Sequence, residues 1–159
     1  MPRISQTVRQ SASLPQKGKF VTHHSFEHTP IPPAYGAYSH AVVAGGLAFL
    51  AGQIARDAKT GQFIGGDVAC QTKRCIEIVE EILGELGLGL TDIVKATVYL
   101  SRIDDFQAMN DVYSRMLTAP YPARSTPQAQ LPFGALVGIE VIACLRDRTG
   151  EETKLQAVE

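Results

Sequence analysis

The amino-acid sequence predicts an α+β fold in which a single mixed β-sheet carries two helices packed on one face. Hydrophobic residues recur with a period of two in some segments and of 3.6 in others, in the order β-β-(β)-α-β-α-β-β. Helices that link strands of one sheet by right-handed crossovers lie on the same face. The 159 residues are enough for one domain with its own core. Because one sheet face is then left without cover, we expect a homo-oligomer.

The overall composition excludes several classes of protein. Hydrophobic residues make up 45% of the chain, but glycines interrupt every apolar run before it is long enough to span a bilayer. The net charge of −1 gives no strong field that would attract nucleic acid or an anionic membrane. Three cysteines without a secretory signal indicate reduced thiols. We therefore predict a cytoplasmic protein with no membrane or nucleic-acid partner.

Composition also divides the chain. Residues 1–30 are predicted to form a flexible N-terminal arm, because the first 20 include no acidic residue and show no sustained periodicity. Transit peptides share its Arg and Ser content, but no clear amphipathic stripe forms, and the role of the arm stays open. Residues 31–146 form the predicted domain, and residues 147–159 form a polar tail.

The first half of the domain has clear turn and cap signals. Residues 41–44 and 47–51 flank Gly45-Gly46, which predicts a β-hairpin. The turn at residues 57–61 ends in a glycine that can adopt positive φ. A helical period then follows from Val68, with Asp67 as the predicted N-cap and Gly87 as the residue after the C-cap.

The second half continues with a strand, a helix and two strands. Residues 94–100 alternate as a half-buried strand does, and Asp104 with Gln107 predicts a capping box at the start of the second helix. Tyr113 lies on the apolar stripe of that helix. The proline-rich loop after the helix cannot continue it. The last two strands are predicted at residues 125–130 and 136–145, separated by a turn at 131–134. In the final strand, the apolar residues expected to need a partner surface are Val137, Ile139 and Val141.

Candidate chemistry centres on Arg124. The sequence contains no metal-ligand spacing, phosphate-binding loop or nucleophile motif, so we predict no metal, and nucleotide binding has no support in the sequence. Arg124 follows two prolines and precedes a strand, which limits its freedom and suits its guanidinium to bidentate recognition of a carboxylate. A surface arginine paired with a carboxylate of its own chain is the alternative interpretation.

Nine short motifs occur in order along the domain: 36–39 (GAYS), 51–54 (AGQI), 59–61 (KTG), 71–72 (QT), 92–100 (DIVKATVYL), 109–113 (MNDVY), 121–125 (YPARS), 131–132 (LP) and 139–143 (IEVIA). Through these motifs, residues 31–145 resemble the Rid/YjgF family of reactive-intermediate deaminases. The resemblance implies a chorismate-mutase-like fold and a homotrimer with pockets between subunits. It also implies hydrolysis of 2-imino and 2-enamino acids to 2-oxo acids and ammonia, without a cofactor.

The resemblance also implies roles for particular residues. Arg124 is the catalytic position that grips the substrate carboxylate. The implied substrate-binding positions are Arg124, Tyr38, Asn110, Ala51, Gly52, Thr126 and Gly138. At three of these the chain departs from the family pattern, since active members commonly carry a serine at position 51, a cysteine at 126 and a glutamate at 138 that is thought to handle the attacking water. Glu140 is about 6.5 Å along the strand from position 138 and cannot simply replace that glutamate.

Three functions therefore remain open. The first is an imine deaminase with altered substrate range or reduced rate. The second is a noncatalytic binder of small 2-oxo or amino acids with a regulatory role, since Arg124 would serve both. The third is an RNA-acting protein, which the charge and the lack of a basic, aromatic-rich stripe disfavour.

Overall fold

A computed structural model describes residues 21–26 and 30–146 of the chain. Within these residues the strands and α-helices are β1 (Thr22–His24), β2 (Ala41–Ala44), β3 (Leu47–Leu50), α1 (Val68–Glu85), β4 (Ile93–Leu100), α2 (Phe106–Met116), β5 (Ala123–Ser125) and β6 (Val137–Cys144). The six strands form one mixed sheet in the order β1-β2-β3-β6-β4-β5, antiparallel throughout except for the parallel pair β4–β5. The predicted α+β fold with a single mixed sheet and two helices is confirmed.

The helices α1 and α2 pack against each other and cover one face of the sheet. That face is built from alternate residues of β6, and Val137, Ile139 and Val141 are all buried there. A narrow void between the layers is lined by Ile76 of α1, Tyr113 of α2 and residues of β6. The expectation that these three apolar β6 residues need a partner surface is therefore wrong, because the protein's own helices cover them.

The opposite face of the sheet has no helical layer within the described residues. Cross-strand neighbours line a shallow groove on it, among them Phe49, Thr97, Glu140 and Ile142. Phe49 keeps 40% of its surface exposed. An uncovered face with exposed apolar side chains still favours a homo-oligomer, but the surface concerned is the one with Phe49 and Ile142 and not the buried face of β6.

The predicted turn and helix caps are confirmed. Gly45 and Gly46 have φ of 59° and 80°, as the tight hairpin between β2 and β3 requires. The carboxylate of Asp67 accepts a hydrogen bond from the backbone N–H of Cys70 (2.8 Å), which caps α1. At the other end, the amide of Leu88 donates to the carbonyl of Leu83 (2.9 Å) and closes the helix.

The predicted N-terminal arm includes a strand of the sheet. Thr22–His24, predicted as part of the arm, forms β1 and pairs with β2 at the edge of the sheet. An exposed edge strand needs no hydrophobic alternation, so the sequence contains no signal for it. Residues 1–20, 27–29 and 147–159 lie outside the described residues, and the arm and tail predicted there stay predictions.

Two local predictions in the second half are wrong. The capping box of Asp104 and Gln107 does not form: a 3₁₀ turn at Ile103–Asp105 precedes α2, and Gln107 donates instead to Asp111 (2.7 Å). The strand predicted at 125–130 is shorter and earlier, at Ala123–Ser125. Pro127 lies inside the predicted strand and has no N–H to donate to a sheet.

Asp92 ties the last described residue to the body of the domain. Its carboxylate accepts two hydrogen bonds from Arg146 (2.9 and 2.8 Å) and one from the amide of Gly89 (2.8 Å). The hydrogen bonds from Arg146 are the main reason that the pKa of Asp92 lies below its ordinary value. A carboxylate whose pKa is lower when folded stabilises the fold above its unfolded pKa and loses this effect as the pH falls through its folded pKa.

We therefore predict that Asp92→Asn lowers the melting temperature near neutral pH and flattens its decline below about pH 4, near the unfolded pKa of an aspartate. Melting curves between about pH 2.5 and 7 check this. Asp104→Asn is the matched control, since its side chain is 78% exposed and its one ion pair within the described part of the chain is with Arg102, at 3.4 Å. Parallel declines for the wild type and Asp92→Asn would contradict the prediction.

Candidate active site

Arg124 lies at the centre of β5, paired with Ala96 of β4, and its side chain reaches α2. Its Nη2 donates a hydrogen bond to Oδ1 of Asn110 (3.0 Å). Its Cζ lies 4.6 Å from the ring centroid of Tyr113 and 5.5 Å from that of Phe106, within the range of cation–π contacts. The guanidinium is half-buried and held by three side chains of one helix.

The charge of Arg124 has no counter-ion within residues 21–26 and 30–146. No aspartate or glutamate of these residues lies within 4.0 Å of it, so they do not supply the own-chain ion pair of the alternative interpretation. The guanidinium borders a cavity of about 330 Å³, lined by Asn110, Tyr113, Ser114, Tyr121, Pro122 and Arg124. A guanidinium with unused donors beside a cavity is suited to binding a small carboxylate.

Tyr113 combines two environments. Its hydroxyl is buried and has no hydrogen-bond partner among the described residues. Burial raises the pKa of this phenol, and the nearby Arg124 charge opposes the shift only in part, so the ring stays neutral under Arg124. The sequence identified Tyr113 only as a core residue of α2. Its spacing of three from Asn110, which places both on one side of a helix, is the signal that could have indicated this position.

Three other predicted site residues meet in a second cavity. Tyr38, Gly52 and Gly138 border a space of about 410 Å³. Its remaining lining residues are Tyr35, Gln53, Ile54, Arg56, Tyr99, Ala129, Gln130, Leu131, Pro132 and Phe133. The wall is mainly aromatic and aliphatic, with a few polar groups, as is typical of small-molecule sites.

Position 138 has room for a side chain. Gly138 pairs with Tyr99 across β6 and β4, and its φ lies outside the left-handed region. A Cβ there would lie 3.5 Å from both Ile54 and Leu131, which is ordinary van der Waals contact. The glycine is therefore not required by the backbone.

Glu140 is engaged elsewhere. The hydroxyl of Tyr99 donates to its Oε1 (3.1 Å), and this bond is the main reason that the pKa of Tyr99 is raised. Glu140 lines the shallow groove on the open sheet face rather than the cavity at Gly138. The carboxylate is thus bonded to Tyr99 and does not itself border the cavity at Gly138.

The seven predicted site residues therefore fall into separate groups within one chain. Arg124 and Asn110 share one cavity, and Tyr38, Gly52 and Gly138 share the other. Ala51 and Thr126 line neither of the two. The backbone carbonyl of Ala51 accepts a hydrogen bond from Nε2 of Gln53 (2.9 Å), a residue that lines the second cavity.

Comparison with known proteins identifies the family. Residues 29–145 match the family model described as endoribonuclease L-PSP. The chain belongs to the Rid/YjgF family. A 2-iminobutanoate/2-iminopropanoate deaminase of Capra hircus is 42% identical over 113 residues, which cover 70% of this chain and 82% of the relative. The Reactive Intermediate Deaminase A of Arabidopsis thaliana, described as chloroplastic, is 36% identical over 144 residues, covering 90% of this chain and 77% of the relative.

Solved structures of Rid/YjgF members share the fold. The crystal structure of E. coli TdcF with bound serine superposes with a TM-score of 0.67 at 34% identity, covering 73% of this chain and 94% of that one.

Within residues 21–26 and 30–146, no group of three or more His, Cys, Asp or Glu side chains could hold a metal ion. No helix of the same residues is long and apolar enough to cross a membrane.

Proposed function

We propose that the protein hydrolyses 2-imino and 2-enamino acids to 2-oxo acids and ammonia, with Arg124 holding the substrate carboxylate. The observation that carries the proposal is the guanidinium of Arg124, held by Asn110 and the ring of Tyr113 beside a cavity, with no carboxylate partner among the described residues. The names of the goat and Arabidopsis relatives support the reaction class.

The reaction asks little of the protein beyond orientation. The imine carbon is already electrophilic, so water adds to it, the carbon–nitrogen bond breaks, and ammonia leaves as the carbonyl forms. From the protein, these bond changes require only that protons be moved to and from the reacting oxygen and nitrogen atoms. A bidentate grip on the carboxylate fixes the reacting carbon relative to the water, and such positioning lowers the barrier of a reaction with few chemical requirements. The hydroxyl of Tyr38, a residue that borders the second cavity, accepts a hydrogen bond from the amide of Tyr35 and can donate one to that water.

The separation of the two cavities supports a site shared between subunits. Arg124 and Gly138 lie on different cavities of one chain, whereas the open sheet face provides a surface for a second copy. We propose a homotrimer in which the Arg124 cavity of one subunit meets the Gly138 cavity of the next. Closed cyclic assemblies bring such unlike surfaces together at every interface.

The homotrimer predicts a mass of about three times 17.2 kDa in solution. The assembly should persist at working concentrations, because each site is proposed to need residues of two subunits. Light scattering at micromolar concentration measures this directly. A stable monomer under those conditions would contradict both the trimer and the shared pocket.

A coupled assay tests the proposed reaction. An enzyme that eliminates water from threonine or serine generates the enamine and imine, and the release of the 2-oxo acid or ammonia is timed with and without the protein. We expect faster release with the protein, and no acceleration would contradict the proposal. Binding of 2-oxobutanoate without acceleration would indicate the noncatalytic binder instead. Cleavage of a labelled RNA without acceleration would indicate the RNA-acting alternative.

Asn110 offers a sharp test of the anchor. Asn110→Asp places a carboxylate against Arg124, where it competes with the ligand, whereas Asn110→Ala removes only one hydrogen bond. We predict that Asn110→Asp weakens 2-oxobutanoate binding about tenfold and Asn110→Ala only several-fold, in line with charge-assisted and ordinary hydrogen bonds. Calorimetric titration measures both. Ala108→Glu is the control, since it adds a negative charge at an exposed position of α2 that does not line the Arg124 cavity; equal weakening by all three variants would refute the anchor.

A cytoplasmic location remains part of the proposal. Cys70, Cys75 and Cys144 are free thiols, and burial raises the pKa of the Cys75 thiol to about 12, which keeps it protonated and unreactive. Free thiols are typical of a reducing compartment. Imaging of the full-length chain fused to a fluorescent protein would show whether it shares the chloroplast or another organelle with its plant relative.

A further inference from the structure

Arg56 is a second guanidinium without a counter-ion, and it borders the Gly138 cavity. Only 6% of the residue is exposed. Its Nε donates to the carbonyl of Gly61 (2.7 Å), and its Cζ lies 5.0 Å from the ring centroid of Tyr35. Within residues 21–26 and 30–146, its two terminal nitrogens have no hydrogen-bond acceptor and no carboxylate lies within 4.0 Å.

The turn after Arg56 is shaped around this side chain. Oδ1 of Asp57 accepts hydrogen bonds from the amides of Lys59 and Thr60, which fixes the turn. Gly61 has φ of +69°, and a Cβ there would lie 3.0 Å from Nη2 of Arg56. The glycine therefore serves both the turn and the close approach of the guanidinium. The turn thus fixes the orientation of Arg56, as a binding group requires.

A buried charge without a partner is costly, so the position calls for an anion. Arg56 is the only charged residue among those lining the Gly138 cavity within the described part of the chain. Gln53 is occupied with the carbonyl of Ala51, and the remaining wall includes Tyr35, Tyr38 and Phe133. Because Nε of Arg56 already donates to Gly61, the two terminal nitrogens are the donors left, and together they can bind one planar anion through two parallel hydrogen bonds. One guanidinium balances one carboxylate, whereas a phosphate dianion calls for further donors.

We propose that Arg56 binds a second carboxylate on the substrate, so that the preferred substrates are imines of dicarboxylic amino acids. This inference rests on the proposed function and its shared site, in which Arg124 of the partner subunit holds the first carboxylate. The apolar wall of the cavity accommodates the methylene groups between the two acids. Gly138 contributes here as well, because a glutamate at that position would bring a negative charge into the cavity that receives the second carboxylate.

Binding of stable 2-oxo acids tests the inference independently of turnover. Calorimetry compares 2-oxoglutarate with 2-oxopentanoate, which has the same carbon chain and no second carboxylate. We expect the wild type to bind 2-oxoglutarate about tenfold or more tightly than 2-oxopentanoate. Arg56→Gln should weaken 2-oxoglutarate binding about 10- to 100-fold and leave 2-oxopentanoate within about twofold. Arg56→Lys should fall between the two.

The controls separate a binding role from a structural one. Arg102→Gln removes an exposed arginine and should change neither affinity. If Arg56→Gln does not fold, the wild-type preference between the two ligands decides the question alone. Equal affinity of the wild type for both ligands, or equal losses for both in Arg56→Gln, would overturn the inference. A selective loss of 2-oxoglutarate binding in a protein that turns over no imine would uphold the carboxylate site at Arg56 and refute the proposed function.

Discussion

Arg124→Ala should lower kcat/KM for 2-iminobutanoate by about two orders of magnitude and remove detectable calorimetric binding of 2-oxobutanoate. A bidentate, charge-assisted pair contributes about 1.5–3 kcal/mol, which is roughly 10- to 100-fold in affinity, and the loss of orientation adds to it. The guanidinium is held by Asn110 and the ring of Tyr113, so its donors have a fixed direction.

Lysine should not rescue this position. Arg124→Lys keeps the positive charge but loses the planar fork that matches a carboxylate. Arg115→Ala is the matched control, because Arg115 is an exposed residue of α2 that does not line the Arg124 cavity. Equal binding of 2-oxobutanoate by the wild type and Arg124→Ala would show that the carboxylate is held elsewhere.

Gly138→Glu should raise kcat/KM for a three-carbon imine at least tenfold. A positioned general base contributes about 10²–10⁴ in rate, and ready spontaneous hydrolysis of the imine reduces the visible gain. The backbone tolerates the change, since φ at Gly138 is not left-handed and a Cβ meets only ordinary contacts with Ile54 and Leu131. Rates of the coupled assay for both proteins measure the gain.

Gly138→Gln distinguishes the effect of a general base from the effect of a larger side chain, because glutamine has nearly the volume of glutamate but no carboxylate. Only the glutamate variant should gain activity. If Gly138 instead enlarges the cavity for a bulkier imine, both variants lose activity on a bulky substrate and neither gains on the small one. Ala51→Ser is the companion change, and its effect should be small alone because Ala51 does not line the cavity. Unchanged rates on both substrates in Gly138→Glu would mean that position 138 does not act on the substrate.

Periodicity predicted the elements that are packed against the core. The cap at Asp67 and the hydrophobic stripe of α1 were visible because a helix packed on one side repeats every 3.6 residues. The same reasoning succeeded for β6 and most of β4. It failed at Val94, which is 46% exposed because the register shifts between Ile93 and Lys95. A bulge of this kind breaks the alternation that a sequence pattern assumes.

Alternation alone did not show which sheet face is covered. The sequence identified Val137 and Ile139 as one face of β6, but the choice between helices and a partner as their cover depends on where α1 packs. The edge strands β1 and β5 also lacked a signal, since three-residue strands with exposed side chains have no periodicity to detect.

The sequence predicted which residues belong to the site, but it did not predict how these residues are placed relative to one another. The motif around Arg124 located the anchor, and the structure added Tyr113 from the adjacent helix. The separation of Arg124 from Gly138 into two cavities depends on the path of β5 and β6 across the sheet. Arg56 carries no sequence signal, because its burial results from the turn that ends at Gly61.

Mixed assemblies of two inactive variants test the shared site most directly. One variant is Arg124→Ala, and the other is Gly52→Trp, which fills the second cavity from an exposed position where a Cβ meets no neighbour within 4 Å. Each should be inactive alone in the coupled assay, with light scattering showing that each still assembles. In trimers refolded or co-expressed from an equal mixture, about one interface in four combines two intact halves. The shared site predicts that the mixture regains about one quarter of wild-type activity, whereas a mixture no more active than either variant alone would contradict it.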